Sequence, residues 1–130
     1  MTAKVVLITG ASSGIGFATA ELLHEAGFIV YGTSRRANMA SKYKFHLIEL
    51  DVDQEDSVSQ AVKKVIENEG RIDVLINNAG FALAPAGAEE SSMQQAQAIF
   101  ETNFFGAVRM TRAVIPFMRQ QRSGLILNIS

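Results

Sequence analysis

A chain of 130 residues, 48% of them hydrophobic, supplies enough apolar surface for one compact core and argues against a second domain. Its 12 Lys plus Arg against 13 Asp plus Glu leave a formal net charge of -1, so no broad field draws in nucleic acid or an anionic membrane, and any anion site must be local. Without cysteine, disulfides, thiolate nucleophiles and Cys-ligated metals are excluded, and His24 and His46 stand apart from any partner at ligand spacing, so no metal site is expected.

Only a short apolar stretch precedes Gly10, too short for a secretory core or a membrane span, and a soluble, cytoplasmic protein is expected. Residues 5–8 are apolar without alternation, as in a strand covered on both faces. They run straight into Thr9-Gly10-Ala11-Ser12-Ser13-Gly14-Ile15-Gly16. Gly10 can make a tight turn there, Gly14 can let backbone approach a pyrophosphate, and Gly16 can let a helix pack close to the strand. The helix that opens in this segment offers free amides and a partial positive charge to phosphates. Its expected core stripe is Ile15, Ala18, Leu22 and Ala26, with Gly27 as the stop.

A second strand is expected over 28–31, then a short polar crossover, loop or one helical turn, over 35–44. A third strand over 45–50 leads to Asp51-Val52, and a helix with Val58, Ala61, Val62, Val65 and Ile66 on one side is expected to start near Asp53 and end before Gly70. A fourth strand over 72–76 precedes Asn77-Asn78-Ala79-Gly80. A long helix over 92–121 follows, with Ala96, Ile99, Asn103, Ala107, Met110, Val114 and Met118 on one side and a bend or loosening at Pro116. Residues 125–129 form a fifth strand. This alternation, with right-handed crossovers, gives an α/β fold: a doubly wound parallel sheet of the Rossmann type with helices on both faces.

Thr-Gly-x-x-x-Gly-Ile-Gly opening such a unit, followed by Asp51, by Asn77-Asn78-Ala79-Gly80 and by Asn103 in the long helix, resembles the short-chain dehydrogenase/reductase family. The resemblance covers the chain from Thr9 to its last residue. It implies five strands in the order 3-2-1-4-5 and a dinucleotide held by Gly10, Ser12, Ser13, Gly14, Ile15 and Gly16, by Ser34 and Arg35, by Asp51 and Val52, and by Asn77, Asn78, Ala79 and Gly80. Asp51 would hold the adenine amino group, the Asn77 to Gly80 segment would support the sheet and line the adenosine and ribose path, and Asn103 would be the Asn of the catalytic tetrad.

The end of the second strand bears on NADP against NAD. A carboxylate there pairs with a free 2′-hydroxyl and repels a 2′-phosphate. Here Ser34 stands in the acid's place and Arg35 where NADP-preferring relatives carry a base, whose guanidinium can grip the phosphate through two parallel bonds. The second basic position of many such relatives is Ser13. NADP is the expected cofactor, with NAD behind it.

Family chemistry moves a hydride between nicotinamide and an alcohol or carbonyl carbon, with a Tyr as acid/base, a Lys four residues later and a Ser that polarises the substrate oxygen. Tyr31 is followed at that spacing by Arg35 and Tyr43 by Leu47, and Ser130 matches the residue before the catalytic Ser. The chain reads as an N-terminal, cofactor-binding half of the family domain, inert by itself, whose strand at 125–129 would be a bare apolar edge. A small-molecule substrate and a homo-oligomer are the implied partners. The competing reading is a non-catalytic nucleotide-binding or self-associating module. A nucleotide-sugar enzyme of the extended family fits the Asn-Asn-Ala-Gly segment less well.

Overall fold

The computed structural model describes residues 3–36, 40–81, 89 and 91–129. Its strands are β1 Val5–Ile8, β2 Ile29–Ser34, β3 His46–Glu49, β4 Val74–Asn77 and β5 Leu125–Asn128, all parallel in one sheet ordered β3-β2-β1-β4-β5. The helices are α1 Gly14–Glu25, α2 Glu55–Glu69, α3 Met93–Phe100 and α4 Gly106–Gln121, with a π-helical segment, Glu101–Phe105, joining the last two.

All four β1 side chains are buried, which the alternation of a strand permits only when both sheet faces are covered. Val5 and Leu7 join Val58, Val62 and Val65 of α2 and Met110 and Val114 of α4. Val6 and Ile8 face the other way, toward Ala20 and Phe17 of α1 and Phe45. Each such aliphatic side chain stabilises the fold by about 1.5–3 kcal/mol relative to exposure. Buried Asp73 ties β1 to β4: the Val5 amide donates to its Oδ2 at 2.8 Å and Arg71 Nε donates to both oxygens at 2.9 Å. Burial opposes its charge. The Arg71 bonds, the Val5 amide and the nearby positive charges of Arg71 and Lys4 outweigh that and hold the carboxyl below its ordinary range.

Several expectations change. The α1 stripe expected from Ile15, Ala18, Leu22 and Ala26 is exposed, and the helix instead buries Gly16 and Ala20. Close approach to the sheet selects the smallest residues for the innermost positions, with Phe17 and Leu23 packed partly buried beside them while Ile15 and Leu22 turn outward. The second strand begins at Ile29 rather than 28 and continues through Gly32 and Thr33 to Ser34, because β3 pairs with it as far as Ser34↔Glu49. The fourth is shifted to Val74–Asn77, since Ile72 and Asp73 serve the Gln121 and Val5 contacts that precede pairing.

Asp53 does not cap α2. The N-cap is Gln54, with Glu55 and Asp56 in the first turn. The crossover after β2 holds one 3-10 turn, Ala40–Lys42. The continuous helix over 92–121 is interrupted by the π-helical segment, which restarts the buried stripe as Thr102, Gly106, Met110, Val114 and Met118 and leaves Asn103 off it. Helix α4 runs unbroken through Pro116. Pro116 and Arg112, whose carbonyl loses its partner, are both exposed, so water can take that bond. At β5, Leu125, Leu127 and Ile129 are exposed, as expected for an apolar edge.

Candidate functional site

Thr9 follows β1 and is buried, and its Oγ1 accepts from the amides of Asn78 and Ala79 at 3.0 and 2.9 Å. One hydroxyl thus satisfies two amides of the turn leaving β4. Asn78 Nδ2 donates to the Gly10 carbonyl at 2.9 Å, and the Ala11 amide donates to the Thr33 carbonyl at 2.8 Å. The loop after β1 is thereby clamped to the ends of β2 and β4.

Gly10 and Gly14 have φ of +68° and +63°, in the left-handed region open mainly to glycine. A Cβ on Gly16 would lie 2.1 Å from the Gly10 carbonyl oxygen, so that residue must be glycine for α1 to start where it does. The N-cap Ser13 makes no side-chain bond, and no acid lies in the first turn. The first-turn amides of α1 therefore keep their unmatched protons and the positive end of the helix dipole.

The loop borders a groove of about 550 Å³ lined by Gly10, Ser12, Ser13 and Ile15 from the loop, Thr33, Ser34 and Arg35 from the end of β2, Leu50 and Val52 from the end of β3, Asn78, Ala79, Gly80 and Phe81 after β4, and Thr102. It opens at the carboxyl ends of the strands on both sides of β1, where the sheet's winding reverses. Ile15 is 67% exposed, so its side chain serves the groove and not the core.

At the β2 end, Arg35 Nη2 lies 3.6 Å from Asp53 Oδ2 and its Nε 4.0 Å from Asp51 Oδ1. Thr102 Oγ1 donates to Asp53 Oδ1 at 2.7 Å, and the Asp53 amide donates to Asp51 Oδ1 at 3.0 Å. Arg109 reaches across the π-helical segment, donating to the Val52 carbonyl at 3.1 Å and to the Glu101 side chain. These bonds tie the segment to the end of β3.

A second, more apolar cavity of about 960 Å³ continues from Ile15 and Phe81 past Asn103, Phe104, Val108 and Thr111 to Asn128 and Ile129. Asn77 lines it and donates from Nδ2 to Asn128 Oδ1 at 2.9 Å and to Thr111 Oγ1 at 3.3 Å, while its buried Oδ1 has no partner among the described residues. Asn103 also lines this cavity, and its amide holds the backbone of Phe81.

Ten of the fourteen residues expected at the cofactor line the first groove: Gly10, Ser12, Ser13, Ile15, Ser34, Arg35, Val52, Asn78, Ala79 and Gly80. Gly14, Gly16 and Asp51 shape its walls or pair with its lining, and Asn77 belongs to the second cavity with Asn103. Ser130 lies outside the described residues. Sequence reasoning missed Thr9, Thr102, Phe81 and Arg109. Thr9 had a signal, a hydroxyl at the strand's end directly before the glycine turn; the others act through contacts between distant segments.

Among the described residues no helix is long and apolar enough to cross a membrane, and no group of three or more His, Cys, Asp or Glu could hold a metal.

A family model described as short chain dehydrogenase matches residues 4–130. A 3-ketodihydrosphingosine reductase of Bacteroides thetaiotaomicron is 50% identical over 100% of this chain and 48% of its own length. The crystal structure of a short-chain dehydrogenase from Streptomyces avermitilis is similar with a TM-score of 0.91 and 40% identity, covering 100% of this chain and 50% of that one. The structure of ElxO with NADP bound is similar at a TM-score of 0.89 and 30% identity, over 99% of this chain and 56% of that one. The chain spans about half the length of the relatives it matches.

Proposed function

The chain belongs to the short-chain dehydrogenase family, and from that premise we propose that it is the cofactor-binding part of an NADP(H)-dependent oxidoreductase acting on an alcohol or carbonyl compound. The observation that carries the reading is the uncapped start of α1 over a groove that ends at Arg35.

The residues present fit a dinucleotide. Gly16 and Gly10 leave no room for side chains where the loop closes, and the first α1 turn, without an acid or a side-chain cap, keeps its amides available to a diphosphate. Arg35 and Ser34 stand at the adenosine ribose, and Leu50 and Val52 supply apolar wall for the adenine, beside Asp51. The preference for NADP rests on Ser34 followed by Arg35, a base with no acid among the last residues of β2 itself, and the likeness to ElxO, whose structure holds NADP, supports it. When bound, the nicotinamide supplies or takes the hydride. This chain's part is to seat it: Asn103 fixes Phe81, and with it the turn bearing Gly80, at the junction of the two cavities.

These 130 residues contain no Tyr-x-x-x-Lys pair. We propose that the chain by itself binds cofactor without reducing carbonyl compounds. It acts in the cytoplasm, within a homo-oligomer.

Titration of NADPH and NADH into the chain, followed by calorimetry, tests the reading. The parent should favour NADPH. Arg35→Asp should weaken NADPH by about tenfold or more, as expected for loss of a charge-assisted bond, and NADH much less. Equal losses would sink the NADP assignment. A second reading, a self-associating module, is favoured by the exposure of Leu125, Leu127 and Ile129, and a discrete oligomer in sedimentation without nucleotide binding would support it instead.

A further inference from the structure

We infer that Asp53 sets the strength of the 2′-phosphate preference by competing for Arg35; the inference rests on the NADP reading above. A helix was expected to start near Asp53 and take its carboxylate as a cap, yet the N-cap of α2 is Gln54 and the Asp53 carboxylate is employed elsewhere. Oδ1 takes the hydroxyl proton of buried Thr102 at 2.7 Å, which fixes the side chain against the π-helical segment. Oδ2 stands 3.6 Å from Arg35 Nη2.

The two partners differ in freedom. Asp53 is anchored through Thr102 and has a side chain 26% exposed, whereas the Arg35 side chain is 59% exposed and makes no bond closer than this pair among the described residues. Asp51 adds a second carboxylate 4.0 Å from the same guanidinium. A phosphate monoester carrying close to two negative charges would thus meet a cation already paired, beside an anion that cannot swing away without losing the Thr102 bond.

Two opposed effects could follow from this pairing. Asp53 could orient Arg35 for the phosphate, or it could offset the guanidinium charge and repel the phosphate. The 3.6 Å separation and lack of a direct hydrogen bond provide little orientation, whereas a 2′-phosphate gripped by Arg35 would lie beside the Asp53 charge, well within a Debye length. Repulsion prevails, and Asp53 acts as a brake on NADP selectivity. Asp53→Asn keeps an oxygen for Thr102 and removes the charge.

The test uses 2′,5′-ADP and 5′-AMP as probes, titrated by calorimetry at low salt into the parent, Asp53→Asn and Asp53→Ser, with melting curves to establish folding. Both variants should bind 2′,5′-ADP about fivefold more tightly, the upper range for an exposed pair, and leave 5′-AMP nearly unchanged. Unchanged or weaker 2′,5′-ADP binding in the folded variants overturns the inference, as does equal tightening of both probes. A parent that holds 5′-AMP as tightly as 2′,5′-ADP sinks the NADP reading by itself; the inference then stands if Asp53→Asn creates the preference and falls if it does not.

Discussion

Asn103 clasps the backbone of Phe81 with both ends of its amide: Oδ1 accepts from the Phe81 amide at 2.9 Å and Nδ2 donates to the Phe81 carbonyl at 2.9 Å. A side chain on the π-helical segment thereby completes, for one residue of the turn after β4, the pairing that a strand neighbour would give. Gly80 lies so close that a Cβ there would be 2.8 Å from Asn103 Oδ1. Replacing Asn103 with Ala should speed hydrogen exchange at the Phe81 amide while lowering global stability by no more than about 1–2 kcal/mol, because the site is open to water. Unaltered exchange at Phe81 would show that the clasp does not hold the turn.

Thr9 makes a sharper case. Its Oγ1 is the acceptor for two amides, Asn78 and Ala79, at a buried position. Thr9→Val keeps the shape and leaves both donors without a partner, at about 1–3 kcal/mol for each. Thr9→Ser keeps the oxygen and should cost under about 1 kcal/mol. Urea midpoints of the two variants should differ accordingly; equal midpoints would contradict the role given to the hydroxyl.

The loop glycines should respond differently from one another. At Gly16 an added Cβ meets backbone, 2.1 Å from the Gly10 carbonyl oxygen, so Gly16→Ala must displace α1 from the loop. At Gly14 nothing lies within 4 Å, and Gly14→Ala meets only the strain of its φ of +63°. The second should cost about 1–2 kcal/mol and the first clearly more, with nucleotide binding lost. Thermal melting of both variants measures the order, and a reversed order would refute the packing argument.

Asp73 predicts a pH dependence. Its folded carboxyl is held below the ordinary value of 3.8, so its contribution to stability is complete above that value and declines as pH falls from there through the folded value. Arg71 stays charged throughout. Asp73→Asn should therefore be less stable than the parent near neutral pH, by a margin that shrinks steadily once the pH passes below about 4. Denaturant midpoints of both proteins across that range provide the check. A margin independent of pH would mean that the loss comes from packing and not from charge.

The site was legible where one short segment carries it. Gly10, Gly14 and Gly16 fall within one seven-residue segment, and its conformation follows from the absence of side chains at the places where backbone meets backbone or takes a positive φ. Arg35 was legible as a base directly after the second strand, in a place that the family resemblance marks. Asp53 was misread: its position near a helix start gave a local explanation, and its partner Thr102 is 49 residues away. The α1 face was misread because hydrophobicity ranks Ile15 and Leu22 above Gly16 and Ala20, while close packing on the sheet ranks them in reverse.

By itself the sequence determined the alternation of strands and helices, the sheet covered on both faces and the glycine loop before α1, since these depend on backbone sterics and on apolar periodicity within a few residues. Tertiary structure decided the rest: where the long helix breaks into a π-helical segment, which way Asn103 turns, and that Arg35 is shared between Asp51 and Asp53 before any phosphate arrives. The physical reason is that hydrogen bonds and charge pairs between segments far apart in sequence form only after the sheet brings them together, and neither periodicity nor local propensity encodes the distance between them.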